Sequence, residues 1–185
     1  MSSHRFHYAD DDAVSIRQLA WMRLPSLGIG LLLGVGLSFA TSSFEEVLRQ
    51  NIHVAFFIPF IVYMADAVGT QTQNIYTRDL RTGHASFKTY LFKETILGLF
   101  LGAISSVIAG GITLAWFGDT TLAMAVFLAM GAAVASAPLV ALVITELLEL
   151  EKTDPAVGAG PIATVIQDTI SVVIYGLITS ALLLS

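Results

Sequence analysis

An aspartate, Asp168, lies inside the last long apolar stretch of this 185-residue chain, without a lysine or arginine in the same stretch. At helical spacing it shares one stripe with Pro161, Thr164, Ser171 and Tyr175. A charged carboxylate at mid-membrane costs ~2.5–3.5 kcal/mol even on a lenient insertion scale, so it must face protein, water or a counter-ion. The pattern therefore favours a cation as the missing counter-ion.

A second apolar stretch repeats this arrangement, again with one carboxylate on a polar stripe. Residues spaced by three or four positions share its polar face: Pro59, Tyr63, Asp66, Thr70, Gln73 and Thr77. Two predicted helices thus each carry one carboxylate on a polar stripe.

The available ligand atoms narrow the choice of cation. The chain has no cysteine, and its four histidines lie outside the apolar stretches or at their ends, so the membrane interior offers only oxygen ligands. Such a set suits Mg²⁺, Ca²⁺, Mn²⁺ or Na⁺ and disfavours soft metals. One or two carboxylates with retained water is how proteins usually hold Mg²⁺.

The aspartates allow two other interpretations. In the first, the carboxyl groups are protonated and simply hydrogen-bond between helices. In the second, they are the paired acids of an intramembrane aspartyl protease. Such proteases carry Y-D and G-x-G-D patterns on adjacent helices, and the contexts YMAD, ending at Asp66, and VIQD, ending at Asp168, match neither. We therefore expect the protein not to be an enzyme and keep the protease as a remote alternative.

The composition of the chain predicts the kind of helices that position these residues. Hydrophobic residues make up 55% of the chain and charged residues 12%, with a mean hydropathy of +0.77. These values, with long apolar runs, predict an all-α polytopic membrane protein. We predict five transmembrane helices per protomer, at Leu24–Ser43, Ile52–Thr77, Lys88–Phe117, Thr120–Leu148 and Pro161–Leu184.

The basic residues predict the orientation of these helices. Eight of nine would lie on one side of the membrane, and only Arg49 on the other. By the positive-inside rule the N-terminus is then cytoplasmic and the C-terminus external, in a plasma (inner) membrane. We assign residues 1–22 to a short cytoplasmic segment and 23–185 to the transmembrane domain. An odd number of spans favours a homodimer over an internally repeated transporter.

Small and special residues give further expectations. Glycines are predicted to permit close helix packing at Gly28, Gly30, Gly34, Gly36, Gly98 and Gly102. Pro138 is expected to kink or break the fourth span, and Asp154 to cap the fifth helix ahead of Pro155. Glu146 stands near the cytoplasmic end of the fourth span, where it could attract cations or simply be solvated.

Several motifs resemble the transmembrane domain of the MgtE magnesium channel family, whose relatives include eukaryotic solute-carrier magnesium transporters. The resemblance runs from about Leu24 to the C-terminus. It is carried by FFIP at 56–59, by GTQ at 69–71, and by a spaced pattern of Asp154, Pro155, Ala156, Gly160, Pro161, Thr164 and Asp168.

The resemblance implies a homodimer of five-helix protomers with one pore on the dimer axis, lined by the second and fifth helices. Asp168 matches the family's pore aspartate, so it is the expected central Mg²⁺ ligand, with Asp66 and Thr164 as further metal ligands. The expected pore-lining residues are Pro59, Tyr63, Gly69, Thr70, Gln73, Pro161, Ser171 and Tyr175.

We thus expect a dimeric divalent-cation channel or transporter, with Mg²⁺ the foremost ion and Mn²⁺, Co²⁺ or Ca²⁺ as other candidates. A proton- or sodium-coupled exchanger, with Asp66 as the carrier, is the alternative. The expected partners are a second copy and the lipid bilayer, with no nucleic acid; a separate regulatory protein is left open.

Two departures from the family pattern affect this expectation. The family's G-N-x-G-T-Q reads D-A-V-G-T-Q from Asp66 to Gln71, so Ala67 replaces an amide and Asp66 adds a charge. The usual large cytosolic N-terminal domain and the CBS pair are not in this sequence. We therefore expect closure by internal Mg²⁺ through that route to be weak or absent.

Overall fold

The computed structural model describes residues 12, 14–150 and 155–184, without the side chains of 148–150 and 155–160. The described part is helical and contains no strand. In chain order the helices are α1 (Ile16–Ser42), α2 (Glu45–Gln50), α3 (His53–Arg81), α4 (Phe87–Phe117), α5 (Thr120–Leu150) and α6 (Pro155–Leu183).

Five of these helices, all except α2, are long and apolar enough to cross a membrane. The prediction of an all-α protein with five candidate spans is therefore confirmed. The bounds differ at the ends: α1 begins at Ile16, within the segment 1–22, and α3 continues to Arg81. The six-residue α2 was not predicted, because it is too short for helical periodicity to distinguish it from a loop.

Helix α5 lies at the centre of the bundle and packs against α3, α4 and α6. Its small residues, including Ala129, Ala133 and Ala137, are completely buried and let the neighbouring helices approach closely. Helix α1 packs against α6 at the periphery and buries little of its own surface. The arrangement places α3 and α6, the two helices with polar stripes, against the same central helix.

The glycines of α4 fit directly against the backbone of α5. A Cβ atom at Gly98 would lie 2.8 Å from the Ala135 carbonyl oxygen, and one at Gly102 would lie 2.8 Å from that of Gly131. Close packing is therefore confirmed at these two glycines. A Cβ atom at Gly30 would make only ordinary contact with Pro161. At Gly28, Gly34 and Gly36, no atom of the protomer lies within 4 Å of the Cβ position.

The connection between α4 and α5 is fixed by local chemistry. Gly118 ends α4 with φ +66°, a left-handed conformation that glycine adopts without strain. Asp119 then caps α5, since its carboxylate accepts hydrogen bonds from the backbone N–H groups of Thr121 at 2.9 Å and Leu122 at 3.0 Å. The Asn51 amide also donates to this carboxylate, at 3.5 Å, which ties the start of α3 to the same end of the bundle.

Pro138 was expected to kink or break α5; the break is not found, and the kink stays a prediction. Helix α5 continues through this residue, and the proline ring packs against α4 at Gly98, which leaves space for it. The predicted cap at Asp154 lies outside the described residues.

Candidate cation site

The two predicted polar stripes meet in a crevice between α3, α5 and α6. Its polar side is formed by Asp66, Thr70 and Gln73 of α3 and by Thr164 and Gln167 of α6, with Gly69 beside them. We call this set the polar crevice. Gly69 matters because its hydrogen faces the Ala137 carbonyl group, where an added Cβ would lie at 3.4 Å, so α3 approaches α5 closely here. The crevice has room for about one water-sized particle.

Consecutive residues of α6 carry buried oxygen atoms that lack a partner in the described protein. Oε1 of Gln167 and Oδ1 of Asp168 are both inaccessible and accept no hydrogen bond. Leaving such an atom unsatisfied costs about 1–3 kcal/mol, more for a charged group. Both atoms are acceptors, so a cation or a hydrogen-bond donor would satisfy them.

No basic side chain neutralises these carboxylates among the ion pairs of the described residues. Arg49 pairs with Glu45 at 2.7 Å and Arg78 with Asp79 at 2.9 Å, both away from the crevice. Asp66 and Asp168 are close enough for their charges to interact. Within the described part of the chain, no group of three or more His, Cys, Asp or Glu side chains could hold a metal ion. Any cation held here therefore depends on one or two carboxylates and neutral oxygens.

Other predicted pore residues lie on the open side of α3 and α6. The side chains of Pro59 and Thr70 are exposed, and Tyr63 is 67% exposed. Pro161, near the start of α6, is partly buried. These positions leave a largely uncovered polar face on a helix long enough to span a membrane.

Two other predicted pore residues are packed inside the protomer. Ser171 is completely buried and its hydroxyl group donates to the Gln167 carbonyl oxygen at 2.9 Å. Tyr175 is 2% exposed, and its hydroxyl group donates to the Val54 carbonyl oxygen of α3 at 2.9 Å. The C-terminal half of the α6 stripe is thus buried within the protomer, with Tyr175 bonded to α3, and its role in a pore stays a prediction.

A second polar cluster, not predicted from the sequence, joins the inner parts of α3, α4 and α5. Glu94 is buried and accepts from the Thr72 hydroxyl group at 2.8 Å. The Tyr76 hydroxyl group donates to Glu146 at 2.6 Å, so this glutamate has a partner within the bundle. Tyr90 donates in the same way to Asp79. For the Thr72–Glu94 and Tyr76–Glu146 pairs, a sequence signal did exist. In each pair, a hydroxyl-bearing residue lies on the buried side of α3.

A bundle of five membrane-length helices with two converging polar stripes, each carrying a carboxylate, defines a multi-pass integral membrane protein. The family model described as MgtE, divalent cation transporter, matches residues 58–178, more than half of the chain. The chain belongs to the MgtE family. Because this is a transporter family, the expectation that the chain is not an enzyme is confirmed.

Similar proteins bear the same family name. The chain is 30% identical over 159 residues to a magnesium transporter MgtE of Bacillus subtilis, covering 84% of this chain and 35% of that protein. It is 30% identical over 156 residues to a magnesium transporter MgtE of Enterococcus faecalis, covering 83% and 34% respectively. A magnesium transporter MgtE of Thermus thermophilus is 28% identical over 159 residues. The chain spans about a third of the length of these relatives.

Proposed function

We propose that this chain transports divalent cations, Mg²⁺ foremost, through a pore formed between two copies. The observation that carries the proposal is the Asp168 carboxyl group, which has a buried oxygen without a hydrogen-bond partner and takes part in none of the ion pairs seen among the described residues. A cation passing this point supplies the missing charge. The names of the curated relatives favour Mg²⁺ as that cation.

The uncovered face of α3 supports the second copy. Thr70, Gln71 and Asn74 are exposed in the single protomer, although they lie on a membrane-length helix. Polar side chains are costly against lipid and normally face protein or a water-filled path. If this face lies on a two-fold axis, it contacts the second protomer and borders a water-filled path. The same axis pairs each Asp168 with its symmetry mate.

In this arrangement two carboxylates face one largely hydrated Mg²⁺. Mg²⁺ gives up its water reluctantly and commonly binds proteins through one or two carboxylates. Thr164, one helical turn before Asp168, offers hydroxyl or carbonyl oxygen to the same ion. Asp66, close to Asp168, adds negative charge near the path and thereby tunes which ions enter.

Ion uptake into proteoliposomes tests this function. Purified protein should admit Mg²⁺ faster than protein-free vesicles do, and Mn²⁺, Co²⁺ and Ca²⁺ are measured in the same assay to rank the ions. An inside-negative voltage should accelerate uptake, because charge moves with the ion. A protein that moves none of the four ions would contradict the proposal.

Coupled exchange is the second candidate, because the polar crevice offers a place for another cation within each protomer. An exchanger responds to an imposed pH or Na⁺ gradient when the voltage is held constant. A channel does not respond to such a gradient. Flux measured with and without each gradient therefore separates the two.

A further inference from the structure

The orientation of the Gln167 side chain is fixed by its neighbour Ser171. The Ser171 hydroxyl group donates its proton to the backbone carbonyl oxygen of Gln167 at 2.9 Å. It can therefore only accept from the Gln167 amide group, and it does so from the amide nitrogen at 3.3 Å. The amide oxygen is then the atom without a partner, on a side chain that is 3% exposed and lines the polar crevice.

The atoms available in the polar crevice select the charge of a ligand. Among the described residues, Asp66 is the only acidic or basic side chain lining it, and the other polar side chains there carry hydroxyl and amide groups. A single negative charge with neutral oxygens suits a monovalent cation. Hard cations prefer this kind of oxygen ligand, whereas soft metals prefer sulfur or imidazole.

The size of the crevice points in the same direction. Its space corresponds to about one water-sized particle. Mg²⁺ usually retains several water molecules when it binds proteins, so the enclosed part of the crevice is too small for the ion together with those water molecules. Na⁺ is small and sheds its water more easily than Mg²⁺, because it carries half the charge.

We propose that the polar crevice binds a single Na⁺ in each protomer, held by the Asp66 carboxylate and the Gln167 amide oxygen. Thr70 and Thr164 supply further neutral oxygens from the facing helices. Asp168 does not line this crevice, so the sodium site is separate from the proposed divalent site at Asp168, although Thr164 borders both. It lies within one protomer and does not depend on a dimer pore.

Equilibrium binding of radioactive ²²Na⁺ to the purified full chain, in detergent and without Mg²⁺, tests the site. We expect saturable binding of about one Na⁺ per protomer, and a rise in the unfolding temperature with Na⁺ at constant ionic strength. K⁺ and N-methylglucamine should not reproduce that rise. Equal stabilisation by either of these ions would overturn the proposal.

Three variants show which atoms hold the ion. Asp66→Asn should abolish Na⁺ binding, and Gln167→Met, which keeps the shape but removes the oxygen, should weaken it by about tenfold. Glu45→Gln removes an exposed carboxylate elsewhere and serves as the matched control, with unchanged binding. If Asp66→Asn does not fold, Gln167→Met decides alone. Binding that survives the folded crevice variants would overturn the assignment.

A proton or a water molecule is the competing occupant. In either case Na⁺ gives no saturable binding at any pH, which also overturns the proposal. Mg²⁺ uptake is measured on the same preparations. A protein that transports Mg²⁺ but binds no Na⁺ would overturn only the proposed sodium site. A protein that binds Na⁺ but transports no divalent ion would overturn only the proposed pore.

Discussion

The Thr72 hydroxyl group of α3 lies 2.8 Å from the buried carboxyl group of Glu94 on α4, to which it donates a hydrogen bond. Helices α3 and α4 otherwise make few contacts, since α5 separates much of their length. This bond and that between Tyr90 and Asp79 therefore join the two helices directly.

Replacing Thr72 with Val should lower the free energy of unfolding by roughly 1–3 kcal/mol, because the buried Glu94 loses its donor. Denaturant unfolding in detergent micelles measures the change. Thr95→Val is the matched control, since the Thr95 hydroxyl group bonds to the Leu91 carbonyl oxygen of its own helix. An equal loss in both variants would mean that the bond between helices contributes nothing specific.

Tyr175 and Tyr63 should respond differently to the loss of their hydroxyl groups. Tyr175→Phe removes the buried bond to the Val54 carbonyl oxygen and should cost about 0.5–1.5 kcal/mol. Tyr63 is 67% exposed, so Tyr63→Phe should change stability by less than about 0.5 kcal/mol. The same unfolding measurement compares them. A larger loss for Tyr63→Phe would place the two side chains differently from this structure.

Gly176 lies under the aromatic ring of Phe44, just before α2. A Cβ atom here would overlap that ring, so Gly176→Ala must displace Phe44 and should lower stability by roughly 1–3 kcal/mol. Gly111→Ala is the control, because nothing lies within 4 Å of its Cβ position and alanine favours the helix. The contact is disproved if the two variants unfold alike.

Asp66 should govern selectivity more than rate. This carboxylate is an addition to the family's motif and lies beside Asp168 without replacing it. Asp66→Ala should therefore change the ratio of Mg²⁺ to Ca²⁺ uptake in proteoliposomes more than it changes total flux. A large loss of total flux with an unchanged ratio of Mg²⁺ to Ca²⁺ uptake would contradict this prediction.

The spacing of polar residues predicted much of this site. Asp66, Thr70, Gln73 and Thr164 were identified from periodicity and do come together, because α3 and α6 pack against the same small-residue helix. Periodicity shows which residues share a helix face. It does not show where along that face a neighbouring helix crosses, so it could not tell that Ser171 and Tyr175 would be buried.

Gln167 was missed for a related reason. Gln167 directly precedes Asp168 on α6 and lies outside the predicted polar stripe. It lines the crevice because α3 and α5 pack against this side of α6. The Thr72–Glu94 pair depends on contacts between different helices in the same way. Such pairs follow from tertiary packing, which a single sequence does not specify.

The central claim is that Asp168 holds the passing divalent ion. Asp168→Asn keeps the shape of the side chain but removes two charges per dimer, so it should also relieve the cost of unpaired buried charge when no ion is bound. The direct measurement is Mg²⁺ uptake into proteoliposomes containing the parent or the variant, with thermal unfolding followed with and without Mg²⁺. We predict a folded variant whose uptake equals that of empty vesicles and whose unfolding temperature does not respond to Mg²⁺. An Asp168→Asn protein that transports and binds Mg²⁺ as the parent does would contradict the account.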